Sequence, residues 1–296
     1  MTTSPAQALR LKRLAYLRTL LVLGRVSNLP TVWSNCLAGW ALGGSGSAAR
    51  FVLLTAGATF LYVGGMFLND ACDAEFDRQH RNARPIPSGA IGLPAVWQWG
   101  IGWLVIGWLC VAALGPLAAI LAIFLTACIL VYDVVHKAFA FSPIIMAGCR
   151  FLLYLVAAAA ATDGLNGDVI WSAFALAVYV VGISYIARKE TIRGVMRFWP
   201  CYCLAAPALL ALLINGQGFF ARGVEWSAVL AIWTIISLRH TFWQETVNVG
   251  LTVSGLLAGI VLVDIVAVAG APLWLDLVFL TFFATALFFQ RFIPAT

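Results

Sequence analysis

Charge is what this chain has least of. Asp, Glu, Lys and Arg make up 10% of its 296 residues, where roughly 25% is usual for a soluble domain. Only twelve residues are acidic. So few polar groups cannot cover a globular surface, which excludes a soluble enzyme, and the composition equally excludes disorder and a collagen-like fibre. Zinc-ligand spacing is also missing. The seven cysteines lie scattered through apolar runs with no C-x-x-C and no Cys/His pattern, so they read as small buried side chains rather than a disulfide scaffold or a metal centre. The basic N-terminus lacks a small-x-small cleavage site, and the apolar stretch behind it is too long for a signal peptide; it reads as a retained membrane helix. No linker, low-complexity tail or extramembrane domain interrupts the sequence, so a single domain over residues 1–296 is expected.

What the chain has instead is apolar length. Apolar residues account for 62%, against about 45–50% in soluble domains. Ten stretches of spanning or near-spanning length run at 17–43, 51–69, 94–114, 116–132, 143–161, 168–187, 199–214, 226–238, 246–268 and 272–290. A helix needs about 20 residues to cross the hydrocarbon layer, so 226–238 is the doubtful one. In lipid every backbone polar group must be paired within its own segment, which makes all of them helices. The expected fold is an all-α, polytopic membrane bundle of nine or ten helices in the lipid bilayer.

The charges that remain alternate from loop to loop. Fourteen of the eighteen basic residues, among them Arg10, Arg78, Arg84, Lys137, Arg188 and Arg239, fall on one set of loops; the other set holds only Arg50 and Arg222. Basic residues collect on the cytoplasmic side, which places the N-terminus and the richer loops there, in a protein of the cytoplasmic membrane. The formal charge of +6 forms no dense stripe with interleaved aromatics, so no nucleic-acid partner is expected. Tryptophans near helix ends, such as Trp97, Trp99 and Trp274, read as an interfacial belt.

Four of the twelve acidic residues sit in one short stretch, Asn69-Asp70-Ala71-Cys72-Asp73-Ala74-Glu75-Phe76-Asp77. On a continuing helix, Asn69, Asp70, Asp73 and Asp77 share an arc of about 100°, with Glu75 opposite. Carboxylates that close raise one another's pKa unless a cation neutralises them. Hard oxygen donors suit Mg²⁺, which binds a few carboxylates together with substrate phosphates. Downstream, Arg84-Pro85-Ile86-Pro87-Ser88-Gly89 is a fixed turn that aims Arg84 back at the acidic face. Guanidinium gives bidentate contacts to phosphate, so carboxylates, Mg²⁺ and Arg84 together describe a diphosphate clamp. Arg150, inside the fifth apolar stretch, is costly in lipid and has to face a cavity or a partner. Asp133 either supplements the metal shell or pairs with Lys137.

These motifs, at a helix end after the second span, resemble the first aspartate motif of the UbiA superfamily of intramembrane prenyltransferases. Arg25-Val26-Ser27-Asn28 is similar to that family's Arg/Asn pair, and Tyr132 to Lys137 to its next cytoplasmic segment. The resemblance implies a helical bundle around a central cavity and transfer of a prenyl group from a polyprenyl diphosphate to an aromatic or other lipophilic acceptor. It further implies Asp70, Asp73 and Asp77 as catalytic carboxylates, Lys137 as a second phosphate contact, and Arg25 and Asn28 beside the acceptor, with Arg150 as a third candidate there. Phe67 or Tyr154 would shield the allylic cation. The family's second aspartate motif is missing: Tyr185-Ile186-Ala187-Arg188-Lys189-Glu190-Thr191 has no aspartate. Glu190 is the one carboxylate left for a metal there, and Arg188 and Lys189 are placed to neutralise phosphate directly. This segment is similar to a divergent, EboC-like branch. The rival expectation is a non-catalytic carrier of a lipid diphosphate or metabolite precursor, for which Asp264 in the ninth stretch is the one hint.

Overall fold

The computed structural model describes residues 5–137, 139–188, 198–214, 220–244 and 246–295. Among them are thirteen α-helices and one short 3-10 turn, and no strand. In chain order they are α1 (Pro5–Leu23), the turn Val26–Asn28, α2 (Leu29–Leu42), α3 (Ala48–Cys72), α4 (Ala74–His80), α5 (Leu93–Ala112), α6 (Pro116–Val135), α7 (Ser142–Ala159), α8 (Gly167–Arg188), α9 (Trp199–Cys203), α10 (Ala206–Ile214), α11 (Phe220–Phe242), α12 (Val249–Ala267) and α13 (Leu273–Gln290). Eight of these (α3, α5, α6, α7, α8, α11, α12 and α13) are long and apolar enough to cross a membrane. Large side chains such as Val105, Ile123, Phe124 and Leu277 point outward from them, as expected where the surrounding solvent is hydrocarbon.

The stretch 226–238, too short by apolar length alone, is the middle of α11, a helix of 23 residues whose charged residues lie near its ends. Two other stretches are not single helices. Residues 17–43 break at Arg25, whose backbone is left-handed with φ 41°, and Pro30 then opens α2 at a position where its missing N–H costs nothing. Residues 199–214 divide into α9 and α10.

The bundle is organised around α2, which is buried along most of its length and packs against α3, α7, α8, α12 and α13. On its flank α3 and α5 approach at backbone distance. A Cβ on Gly64 would lie 2.9 Å from the Gly100 carbonyl, and one on Gly107 would lie 2.8 Å from the Gly57 carbonyl. Small residues permit such closeness where no hydrophobic effect drives helices together. The bundle has two polar ends. At one, Arg50 of α3 donates to the carbonyls of Leu114 (2.6 Å) and Ala160 (3.0 Å), capping the chain just beyond α5 and α7. The other end carries the acidic stretch.

Candidate active site

The acidic stretch does not run on as one helix. α3 stops at Cys72, and Asp73 joins it to α4. Glu75 points outward to Arg78 at 2.9 Å, opposite the site as its position on the arc required. The three remaining aspartates are inward but not equivalent. Asp70 receives Arg25 at 3.2 Å and Arg84 at 3.1 Å, both on Oδ1. The Arg84 turn is closed by the Ser88 and Ala90 amides, which donate to the Arg84 and Pro85 carbonyls at 3.0 Å each, and is anchored by buried Ile86 and Ile91. It aims Arg84 as the sequence expected. Arg25 reaches the same oxygen because its left-handed backbone ends α1 and turns its side chain under α3; it also donates to Asn69 Oδ1 at 3.3 Å.

Asp73 faces the end of α6. Lys137 Nζ lies 2.6 Å from its Oδ1 and His136 Nε2 3.3 Å from its Oδ2. Lys137 also sits 3.9 Å above the Phe76 ring. Burial works against the charged Asp73 carboxylate, but the hydrogen bonds from His136 and Lys137 outweigh it and hold the carboxyl below its usual range. Burial likewise opposes a charged His136, and the Asp73 carboxylate overrides it and raises the imidazole. The other ring nitrogen, Nδ1, lies 3.2 Å from the carbonyls of Tyr132 and Asp133, which suits a ring protonated on both nitrogens. Burial, with Asp73 and Asp70 nearby, raises the carboxyl of Asp77 despite Arg84. Asp133 does not pair with Lys137. Its Oδ1 accepts from Asn69 Nδ2 at 3.1 Å, and its Oδ2 is buried without a hydrogen-bond partner.

Below this polar rim lies a cavity of about 460 Å³, within the usual size for a small-molecule site. Asn69, Asp73, Asp77, Arg84, Asp133, His136, Lys137 and Arg188 stand at its charged end. Its depth is apolar, walled by Leu61, Leu125, Ile129, Leu153, Ile183 and Leu257. Arg188 reaches back to the carbonyls of Phe139 (2.9 Å) and Ala140 (2.8 Å). Lys189 and Glu190 lie outside the described residues. Asn28 borders the cavity while its Nδ2 donates to the Ala295 carbonyl at 2.9 Å. Arg150 also borders it, held by Asn35 Oδ1 at 2.7 Å and Thr31 Oγ1 at 2.9 Å. Asn35 in turn donates to Asp264 at 2.8 Å. Asp264 also accepts from Ser34 and from Tyr154 (3.1 Å); it is fully buried and is not part of the cavity wall.

The cavity therefore gathers most of the expected residues and sets others apart. Arg25 is spent on the acidic stretch, although it also touches the cavity. Asp70 stands behind the two arginines and outside the wall. Phe67 and Tyr154, expected as cation-shielding rings, are buried elsewhere; the aromatic wall is Tyr62, Phe76 and Tyr132. His136, which the sequence reading does not single out, joins the site through Asp73. The signal for it was present in its spacing, since Tyr132, Asp133, His136 and Lys137 fall within a turn and a half of helix and so share a face.

No group of three His, Cys, Asp or Glu side chains closes as a metal cage among the described residues. The donor set nevertheless suits Mg²⁺, an ion usually held by one or two carboxylates and completed by water and substrate phosphate. Asp133 lines the cavity, and its buried Oδ2 has no hydrogen-bond partner.

Comparison with known proteins gives the relationships of the chain. Over 101 residues the chain is 36% identical to digeranylgeranylglyceryl phosphate synthase of Ignicoccus hospitalis, covering 34% of this chain and 33% of that protein. Over 65 residues it is 40% identical to 4-hydroxybenzoate octaprenyltransferase of Sodalis glossinidius, covering 21% of each. The matches thus span only about a third and a fifth of those relatives. Among solved structures, the apo form of a UbiA homolog from Aeropyrum pernix K1 superposes with TM-score 0.67 at 20% identity, over 86% of this chain and 98% of that one. A UbiA homolog from Archaeoglobus fulgidus bound to GPP and Mg²⁺ gives 0.60 at 17% identity, over 92% and 98%. These likenesses show a shared fold. A model of the UbiA prenyltransferase family matches residues 27–195, more than half the chain and every described residue of the polar rim except Arg25; the chain belongs to that family.

Proposed function

We propose that this protein transfers a prenyl group from a polyprenyl diphosphate to a lipophilic acceptor inside the membrane. The observation that carries the reading is the cavity itself, apolar in its depth and ringed at one end by carboxylates and cations. An isoprenoid tail fits the first part and a diphosphate the second. Asp73 and Asp77 would hold Mg²⁺ at the rim, and Glu190 is a further candidate by sequence. Bound there, the ion would supply Lewis-acid neutralisation of the leaving diphosphate.

The chain's own cations do the rest of the binding. Arg84 and Lys137 stand on the rim within reach of phosphate oxygens, with Arg188 on the facing element and Lys189 beside it in sequence. Asp70 acts through the arginines: with two guanidiniums on one carboxylate oxygen, it fixes the direction from which they meet the substrate. Tyr62 and Tyr132 line the cavity and would be the rings beside an allylic carbon carrying positive charge, whereas the Phe76 ring is already covered by Lys137 and stacked on His80. The allylic C–O bond breaks with its electron pair leaving on the diphosphate, and the acceptor bonds to the freed carbon and gives up a proton, which the departing diphosphate takes. Asn28 and Arg150 also border the cavity and would meet an acceptor there. The carrier alternative has less support, because Asp264 is locked among three donors away from the cavity.

The test is incubation of the purified protein with labelled geranylgeranyl or farnesyl diphosphate, Mg²⁺ and a panel of lipophilic acceptors. Diphosphate release that disappears in Asp73→Ala is the expected result. Tight binding of the donor with no release under any acceptor would mean a carrier.

A further inference from the structure

The least explained group at the rim is Asp133. It is 3% exposed, and a carboxylate withdrawn from water costs several kcal/mol unless a partner offsets it. Its one partner is the neutral Asn69 amide on Oδ1; Oδ2 has none. The cations that might neutralise it are engaged. Arg25 and Arg84 meet on Asp70, and His136 and Lys137 meet on Asp73. Arg188 turns to main-chain carbonyls. Meanwhile the stretch 185–191, which begins inside α8, contains no aspartate, and Glu190 is its one carboxylate.

We infer that Asp133, on α6, is a metal ligand of this site, its unpartnered Oδ2 binding the divalent ion that accompanies the diphosphate, with Asn69 as its positioning residue. The inference rests on the prenyl-transfer reading and adds to it a ligand from outside the acidic stretch. Asn69 then has two tasks: its Oδ1 is tied to Arg25 and its Nδ2 orients Asp133. One amide thereby links the arginine pair to the metal-binding carboxylate.

The competing account is a permanently protonated, purely structural Asp133. Asp133→Asn separates the two, because asparagine has the shape of the protonated acid and can still accept from Asn69 Nδ2. The measurement is Mn²⁺ binding, followed by electron paramagnetic resonance on the purified full chain with inorganic diphosphate present. Loss of a second-sphere partner already weakens metal binding by about 10–100-fold, so loss of a ligand oxygen is expected to weaken it by at least about tenfold. The melting temperature without metal should hardly change, and Asp133→Glu, which keeps a carboxylate, should retain part of the affinity. Equal Mn²⁺ affinity in wild type and Asp133→Asn overturns the inference and leaves prenyl transfer intact. No Mn²⁺ binding by the wild type overturns both. Should Asp133→Asn fail to fold, the comparison moves to Asp133→Glu: an altered Mn²⁺ spectrum supports direct ligation and an unchanged one overturns it.

Discussion

Asp70 and Asp73 sit three residues apart yet answer to different partners, and that division decides what each substitution does. Asp70 holds two guanidiniums whose side chains are 20% and 22% exposed. Asp70→Asn leaves both without their counter-charge, which costs about 1–3 kcal/mol given their partial access to water. The expected outcome is a lower melting temperature in detergent together with loss of diphosphate release. Asp73 is held by His136 and Lys137, and this pair makes stability depend on pH. The raised His136 pKa means its contribution is complete below the unfolded value of about 6.5 and is lost as pH rises through the folded one. The lowered Asp73 pKa adds stability that is present above about 3.9 and is lost as pH falls through the folded value. Metal-free protein should therefore lose thermal stability as pH climbs above about 6.5, and His136→Gln should flatten that slope; a melting series in chelator across pH would read it directly. The acidic stretch was legible in the sequence because four acids in eight residues, Asp70 to Asp77, stand out in a chain with twelve. The pairing was not. Arg25 and Asp70 are 45 positions apart, and a one-dimensional arc says nothing of which cation reaches which carboxylate.

At the scale of elements, apolar length located helices well and their breaks poorly. The run 17–43 contains no signal strong enough to show that Arg25 turns left-handed, yet that turn is what brings its side chain to Asn69 and Asp70. Conversely, 226–238 looked short because hydropathy discounts the polar ends of a helix, where Arg222 is in fact tied to Asp276 at 2.6 Å. The close pair α3 and α5 has a different vulnerability. A methyl group on Gly64 or Gly107 meets backbone atoms of the facing helix at 2.8–2.9 Å, and backbone cannot rotate away. Gly64→Ala and Gly107→Ala should each destabilise by about 1–3 kcal/mol through overpacking. Gly102→Ala in the same helix has open space around it, so it should be neutral or stabilising by up to about 1 kcal/mol. Thermal unfolding of the three variants tests this. Because the acidic stretch begins in the last turn of α3, Gly64→Ala should also lower diphosphate release, whereas Gly102→Ala should not.

Across the whole molecule, the two ends differ in what their cations are doing. At the end opposite the cavity mouth, Arg50 donates to the Leu114 and Ala160 carbonyls and Arg222 to Ala271 and Asp276. Both are absorbed in capping helices, so neither speaks against an outward orientation for that end. At the cavity end, Arg78 and Arg81 remain exposed beside the rim, and positive charge of this kind is retained on the cytoplasmic side. A soluble, charged diphosphate headgroup would then reach the rim from the cytoplasm while its tail lies among apolar helices. This orientation is directly measurable. In a background lacking the seven native cysteines, Asn82→Cys marks the cavity end and Leu165→Cys the opposite one, and both positions are exposed. An impermeant maleimide added to cells whose outer layers have been made permeable should label Leu165→Cys at once and Asn82→Cys only after the cytoplasmic membrane is opened. The reverse pattern would put the cavity mouth outside, where the balance of basic loops argues it does not belong.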